Sequence, residues 1–146
     1  MTTVNKPNFL YWIIAFIFGL LWNAYGVYLF IIDTFTDNEA MMSEYTEAQR
    51  TMMESVPSWL SVVYGIATIA ALLAAIGMLM RKKWCVPLFG ISLLAILLNF
   101  IYMWIALDSG EIMGLMMGYI MPLIVILIGM ILYLYSKYAL KKGWLH

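Results

Sequence analysis

Four stretches carry no charged residue: Phe9 to Ile32, Pro57 to Met80, Trp84 to Leu107 and Ile112 to Ser136. Each is about 24 residues, or about 36 Å of α-helix, enough to cross a hydrocarbon core of roughly 30 Å with some tilt. Inside a bilayer the backbone has no water to bond, so it must satisfy itself within a helix or a closed barrel, and four separate spans favour helices. The fold expected is all-α: a polytopic membrane protein, an antiparallel bundle of four transmembrane helices forming one domain over residues 1–146. With 65% hydrophobic and 11% charged residues, against about 45–50% and 25% in ordinary soluble domains, a water-soluble monomer is excluded. The first stretch reads as a span and not as a cleavable signal, because it is long, rich in Phe, Tyr and Trp, and lacks a small-x-small site before Asp33.

The charges outside the spans are sorted by sign. Seven of the eight basic residues (Lys6, Arg81, Lys82, Lys83, Lys137, Lys141, Lys142) flank the first, second-to-third and final span ends. All eight acidic residues fall in the other two connections, with Arg50 as their one basic companion. The positive-inside rule then places both termini in the cytoplasm, and Trp12, Trp84 and Trp144 near one boundary with Trp59 and Trp104 near the other agree. Arg81, Lys82, Lys83, Lys141 and Lys142 set topology first, and would also suit anionic lipid headgroups.

The outer connection from Asp33 to Val56 is too long for a turn. Thr36 and Glu39 have capping-box spacing, and Met41, Tyr45, Ala48, Met52 and Val56 recur every three or four residues, so a short amphipathic helix over about 37–55 is expected, stopped by Pro57. Its apolar face either rests on the bundle and headgroups or docks a partner.

Within the spans, small residues recur at helical spacing, including Gly19, Gly26, Gly65, Ala75, Gly114 and Gly129. Helix association in lipid depends on close backbone approach, so these are the expected packing positions; Gly114-x-x-x-Gly118 could pack within the chain or between chains. Asn23 and Asn99 lie about 4 and 5 Å on the outer side of their helix centres at 1.5 Å per residue. Two amides at one depth would pair across the first and third helices. Alternatively, with Trp22, Tyr25, Tyr64, Tyr102 and Tyr119, they would wall an outward-facing pocket for a small neutral ligand. Pro122 cannot donate to the carbonyl of Gly118, so these two residues mark a kink, either a hinge or a packing device. A faint echo between Leu20–Tyr25 and Leu97–Tyr102 carries no argument.

Several chemistries are excluded. Cys85 is the one cysteine and His146 the one histidine, which leaves no intrachain disulfide, no thiolate zinc site and no imidazole ligand inside the spans. No ionisable residue lies in the four stretches, against proton- or ion-coupled carriers and intramembrane hydrolases. No phosphate loop, Gly-x-Ser-x-Gly or His-Glu-x-x-His occurs. An enzyme, a metal, a cofactor or a nucleic-acid partner is therefore not expected. The partners expected are the lipid bilayer and, within it, other membrane-protein subunits or a second copy of this chain.

At Arg81-Lys82-Lys83-Trp84 with Pro87-Leu88-Phe89-Gly90-Ile91-Ser92, at Met121-Pro122, and at Ser136-Lys137 followed by Lys142-Gly143-Trp144, the chain resembles a group of small bacterial four-span proteins often labelled sugar transporters. The resemblance implies a bacterial inner-membrane location and brings no catalytic residue with it. The leading expectation is a non-enzymatic inner-membrane protein acting by contact, as an accessory or structural subunit of a membrane assembly. The alternative is a passive or exchange transporter of a small uncharged solute such as a sugar, with Asn23, Asn99 and the tyrosines as its site.

Overall fold

The structure, a computed structural model, describes residues 5–36, 39 and 43–146. Four helices are long and apolar enough to cross a membrane: α1 (Phe9–Phe35), α3 (Ser58–Leu79), α4 (Cys85–Ala106) and α6 (Met116–Lys141). Among the described residues the acidic connections carry the short helices α2 (Glu47–Glu54) and α5 (Ser109–Ile112). The chain is an integral membrane four-helix bundle.

The hub is α3, because its sequence is the smallest. Gly65, Ala67, Ala70, Ala71, Ala74, Ala75 and Gly77 are all buried, and 44% of its apolar window is covered against 11 to 17% in the other long helices. Missing side-chain volume lets neighbouring backbones approach, which is how helices gain contact where lipid offers no hydrophobic drive. A Cβ built on Gly19 of α1 would lie 3.3 Å from Cβ of Ala75, and one on Gly65 would meet the Phe30 ring at 2.8 Å. The remaining faces present Leu, Ile, Phe and Met outward, as a helix bathed in lipid should.

Element ends differ from the sequence expectation in instructive ways. Asn8 caps α1, its Oδ1 accepting from the Tyr11 amide at 3.0 Å, and the helix runs past Ile32 to Phe35, carrying Asp33 with it. The fourth span starts later than Ile112, since α5 and a turn at Gly114 precede α6, and continues to Lys141. Gly114, expected at a packing position, is corrected to a turn residue: its φ is +87° and a Cβ there would meet nothing within 4 Å. The connection helix is shorter than 37–55. The helix described there, α2, carries its own capping box, built by Thr46 and Gln49, while the expected start of the helix after Thr36 falls on residues 37, 38 and 40–42, which lie outside the described residues.

At the basic end, α3 and α6 both finish in a Schellman turn. Lys82 N–H reaches Gly77 O at 2.8 Å and Arg81 N–H reaches Met78 O at 3.0 Å; Trp144 and Gly143 repeat the pattern onto Ala139 and Leu140. The left-handed position is Gly143 in one turn, at φ +74°, but Arg81 in the other, at φ +59°. A non-glycine residue is strained there. Arg81 is held by what its side chain does: Nε donates to Trp144 O at 2.9 Å and Nη2 to Asn5 O at 2.6 Å. Asn5 in turn bonds Gly143 O and Lys142 O, and His146 and Lys83 exchange backbone bonds with the same turn. Both terminal segments and the α3–α4 turn are thus sewn together, with Trp144 and Leu145 tucked inside.

Candidate functional site

The bundle is solid at the basic end and hollow at the acidic end. Tyr11, Ala15, Ala74, Ala75, Met78, Cys85 and Ala139 have essentially no exposed surface and pack with Trp144 and Leu145 into one cluster. The Tyr11 hydroxyl donates to Met78 O across the α1–α3 seam. Phe89 and Leu132 belong to this cluster and also form the floor of a cavity of about 470 Å³ that rises between the helices to Asp33, Thr34, Met53 and Val56. That volume is within the range of small-molecule pockets, about 300–1,000 Å³.

The cavity follows from small residues facing one another. Gly26 on α1, Ala67 and Ala71 on α3 and Gly129 on α6 are among its lining residues, and Gly129 also lets Leu93 and Ile96 of α4 pack within 3.4 and 3.6 Å of where its Cβ would stand. Polar groups punctuate otherwise apolar walls. Ser92 donates to Ala67 O at 2.6 Å and links α4 to α3 at the floor. Thr68 returns its hydroxyl to Tyr64 O at 3.1 Å, a local bond that keeps the helix backbone shielded.

Of the sequence-derived candidates, Trp22, Asn23, Tyr25, Tyr64 and Asn99 line this one space. The two amides do not pair. Asn23 Nδ2 instead donates to Gly19 O at 2.6 Å, closing onto the π-helical segment Ile14–Leu21 that precedes it, so its own helix offers a nearer acceptor than the neighbour. Tyr102 and Tyr119 sit elsewhere: Tyr102 packs edge-on against Trp59, and Tyr119 covers Gly110 beside Trp104. Sequence reasoning missed Asp33, which lines the cavity at its rim. The signal was available, because Trp22, Gly26, Leu29 and Asp33 step by four, three and four along one helix face, one residue beyond where the uncharged stretch stops.

The part of α1 from Trp22 to Phe35 packs on α3, whereas α6 meets α1 mainly along Ile14–Leu21, nearer the basic end. Two cavity-lining residues, Tyr25 on α1 and Met121 on α6, also reach the outer surface of the bundle, 57% and 39% exposed.

Gly118 and Pro122 lie on either side of Met121 in α6. Just before the proline the helix widens into a π-helical segment, Met116–Ile120, so that Met121 N–H reaches back to Met116 O. The carbonyl of Gly118, which has no N–H four residues on, accepts instead from Trp104 Nε1 at 2.7 Å. Gly118 itself presses on the α5 turn, where a Cβ would stand 2.4 Å from Gly110 O.

Among the headgroup candidates, Arg81 spends its guanidinium on backbone carbonyls, while Lys83, Lys141 and Lys142 are exposed. No family model, no curated protein and no solved structure matches the chain.

Proposed function

We propose that the protein is a non-enzymatic membrane protein that works by binding: it holds one small, mostly apolar molecule in the acidic-end cavity, as an accessory subunit presenting or sequestering that molecule. The observation that carries this reading is a cavity of about 470 Å³ ending on a buried floor of Phe89, Ser92 and Leu132. A closed floor favours holding a ligand over conducting one. Tyr25 and Met121 belong both to the cavity wall and to the exposed surface of the bundle, which supports entry of a ligand dissolved in the bilayer. The sign-sorted charges support a cytoplasmic basic end and, with the resemblance to small bacterial four-span proteins, an inner-membrane location.

The test is native mass spectrometry of the protein isolated in mild detergent from its own membrane. A small molecule retained by the parent chain and lost from Asn99→Phe, which fills the cavity, is the expected result; identical spectra with no retained molecule refute the reading. Labelling single cysteines at positions 45 and 82, in a Cys85→Ala background, tests orientation: only position 82 should be protected from an external reagent.

One observation favours the exchange carrier as a second reading. The proline break of α6 sits beside the cavity, with Met121 and Val125 on its wall, so motion there would reshape the site. Flux of entrapped glucose from reconstituted vesicles, at a rate above protein-free vesicles, would support it.

A further inference from the structure

Among the described residues the cavity lining carries one formal charge: Asp33 is its only ionisable acid or base apart from the phenols of Tyr25 and Tyr64, and no lysine, arginine or histidine lines it. The carboxylate is exposed at the outer end of α1, two residues before the helix stops, and the cavity it borders has aromatic walls: Tyr64 and Phe100, with Trp22 and Tyr25 two to three turns deeper along α1. Phe30, packed edge-on to Tyr64 with ring centroids 5.3 Å apart, braces that wall from behind. Aromatic faces carry negative potential and attract organic cations, most strongly where water is scarce. A carboxylate at the rim of an apolar space adds a charge that only a cation complements.

We propose that the ligand of this cavity is a monovalent organic cation, an amine or quaternary ammonium with an apolar body, whose charged nitrogen sits by Asp33 and whose body fills the space down to Phe89 and Leu132. The inference rests on the cavity being a binding site and adds the ligand's charge class. A hydrophobic cation reaches such a site from the headgroup layer, at the depth where α1 ends. A divalent metal ion is disfavoured, because among the described residues no three His, Cys, Asp or Glu side chains come together to replace its water. An anion is disfavoured by Asp33 and by the absence of any basic group on the walls.

The experiment compares benzyltrimethylammonium with its neutral isostere neopentylbenzene, by calorimetry on the full chain in phosphatidylcholine nanodiscs, with empty nanodiscs subtracted. The cation is expected to bind at least about tenfold more tightly than the isostere. Asp33→Asn should remove that preference while leaving neopentylbenzene binding unchanged, and Asp33→Glu should restore it to within a few fold. Equal affinity of the two probes for the parent chain, or an unchanged ratio in Asp33→Asn, overturns the cation assignment and leaves the binding cavity standing. If neither probe binds above the nanodisc background, the cavity reading falls and the assignment with it. Circular dichroism checks that the variants fold; should Asp33→Asn not fold, the ratio on the parent chain and on Asp33→Glu decides.

Discussion

Trp104→Phe isolates one hydrogen bond whose worth follows from the missing N–H at residue 122. In a regular helix the carbonyl of Gly118 would accept from residue 122, but that residue is proline and has no amide hydrogen. The indole of Trp104 supplies the donor from α4 at 2.7 Å. Phenylalanine keeps an aromatic ring beside Phe100, stacked at 6.1 Å, and Tyr119, tilted at 6.2 Å, while removing the N–H. An ordinary hydrogen bond contributes about 0.5–1.5 kcal/mol net, and a carbonyl left orphaned out of water costs about 1–3 kcal/mol. Interhelical bonds in membranes average about 0.6 kcal/mol and reach about 1.7. Gly118 is buried and its helical donor is absent, so the upper part of the membrane range applies, about 1.5 kcal/mol, or roughly tenfold in the folded-to-unfolded ratio. The assay is reversible unfolding of the purified chain by dodecyl sulfate in mixed micelles, followed by circular dichroism. The decisive comparison is a double-mutant cycle with Pro122→Ala, which returns an N–H to position 122. In that background Trp104→Phe should cost about 1 kcal/mol less than in the parent chain. Equal costs in the two backgrounds would refute the reasoning, because the indole would then be supporting packing and not the carbonyl that proline leaves bare.

Two further outcomes follow from the same geometry. Gly118→Ala should destabilise by about 1–3 kcal/mol or more, since the new methyl would stand 2.4 Å from the Gly110 carbonyl, whereas Gly26→Ala, with only Thr68 Cγ2 at 3.7 Å, should be neutral or slightly stabilising through helix propensity; the same unfolding titration ranks them. Arg81→Lys keeps the charge that orients the chain but loses the paired bonds to Trp144 O and Asn5 O, so topology should be retained while the tail loosens at a cost of about 1–2 kcal/mol, read as faster carboxypeptidase removal of the last residues.

The number of spans, their helical character and the sorting of charge by end are written directly in the sequence. They depend on local quantities: the length of an uncharged run against the thickness of a bilayer, and the sign of the residues between runs. Five of the seven proposed wall residues, Trp22, Asn23, Tyr25, Tyr64 and Asn99, do line the cavity; their similar depth was legible from the span lengths, although Tyr25 is also 57% exposed. Tyr102 and Tyr119 were not separable from them, since two aromatic residues at the right depth differ only in which neighbour they meet, Trp59 in one case and Gly110 in the other. Asp33 escaped for a simpler reason: an uncharged run ends at the first charge, whereas a helix ends where its backbone bonds stop, three residues later.

What only the tertiary structure decided is where the bundle is full and where it is empty. Small residues occur along all four spans, and the sequence treats each as a place for close contact. Some became contacts, as Gly19 did with Ala75 and Gly129 with Leu93 and Ile96, while Gly26, where a Cβ would meet only Thr68 Cγ2 at 3.7 Å, borders a void. The difference lies in how far apart the helices stand at each height, and that is set by contacts distant in sequence: the sewn termini at one end, and at the other a proline break whose free carbonyl is claimed by a tryptophan on the neighbouring helix. Local chemistry fixed the pieces and the face each turns inward, while the spacing between pieces is a property of the assembled bundle, and that spacing makes the site.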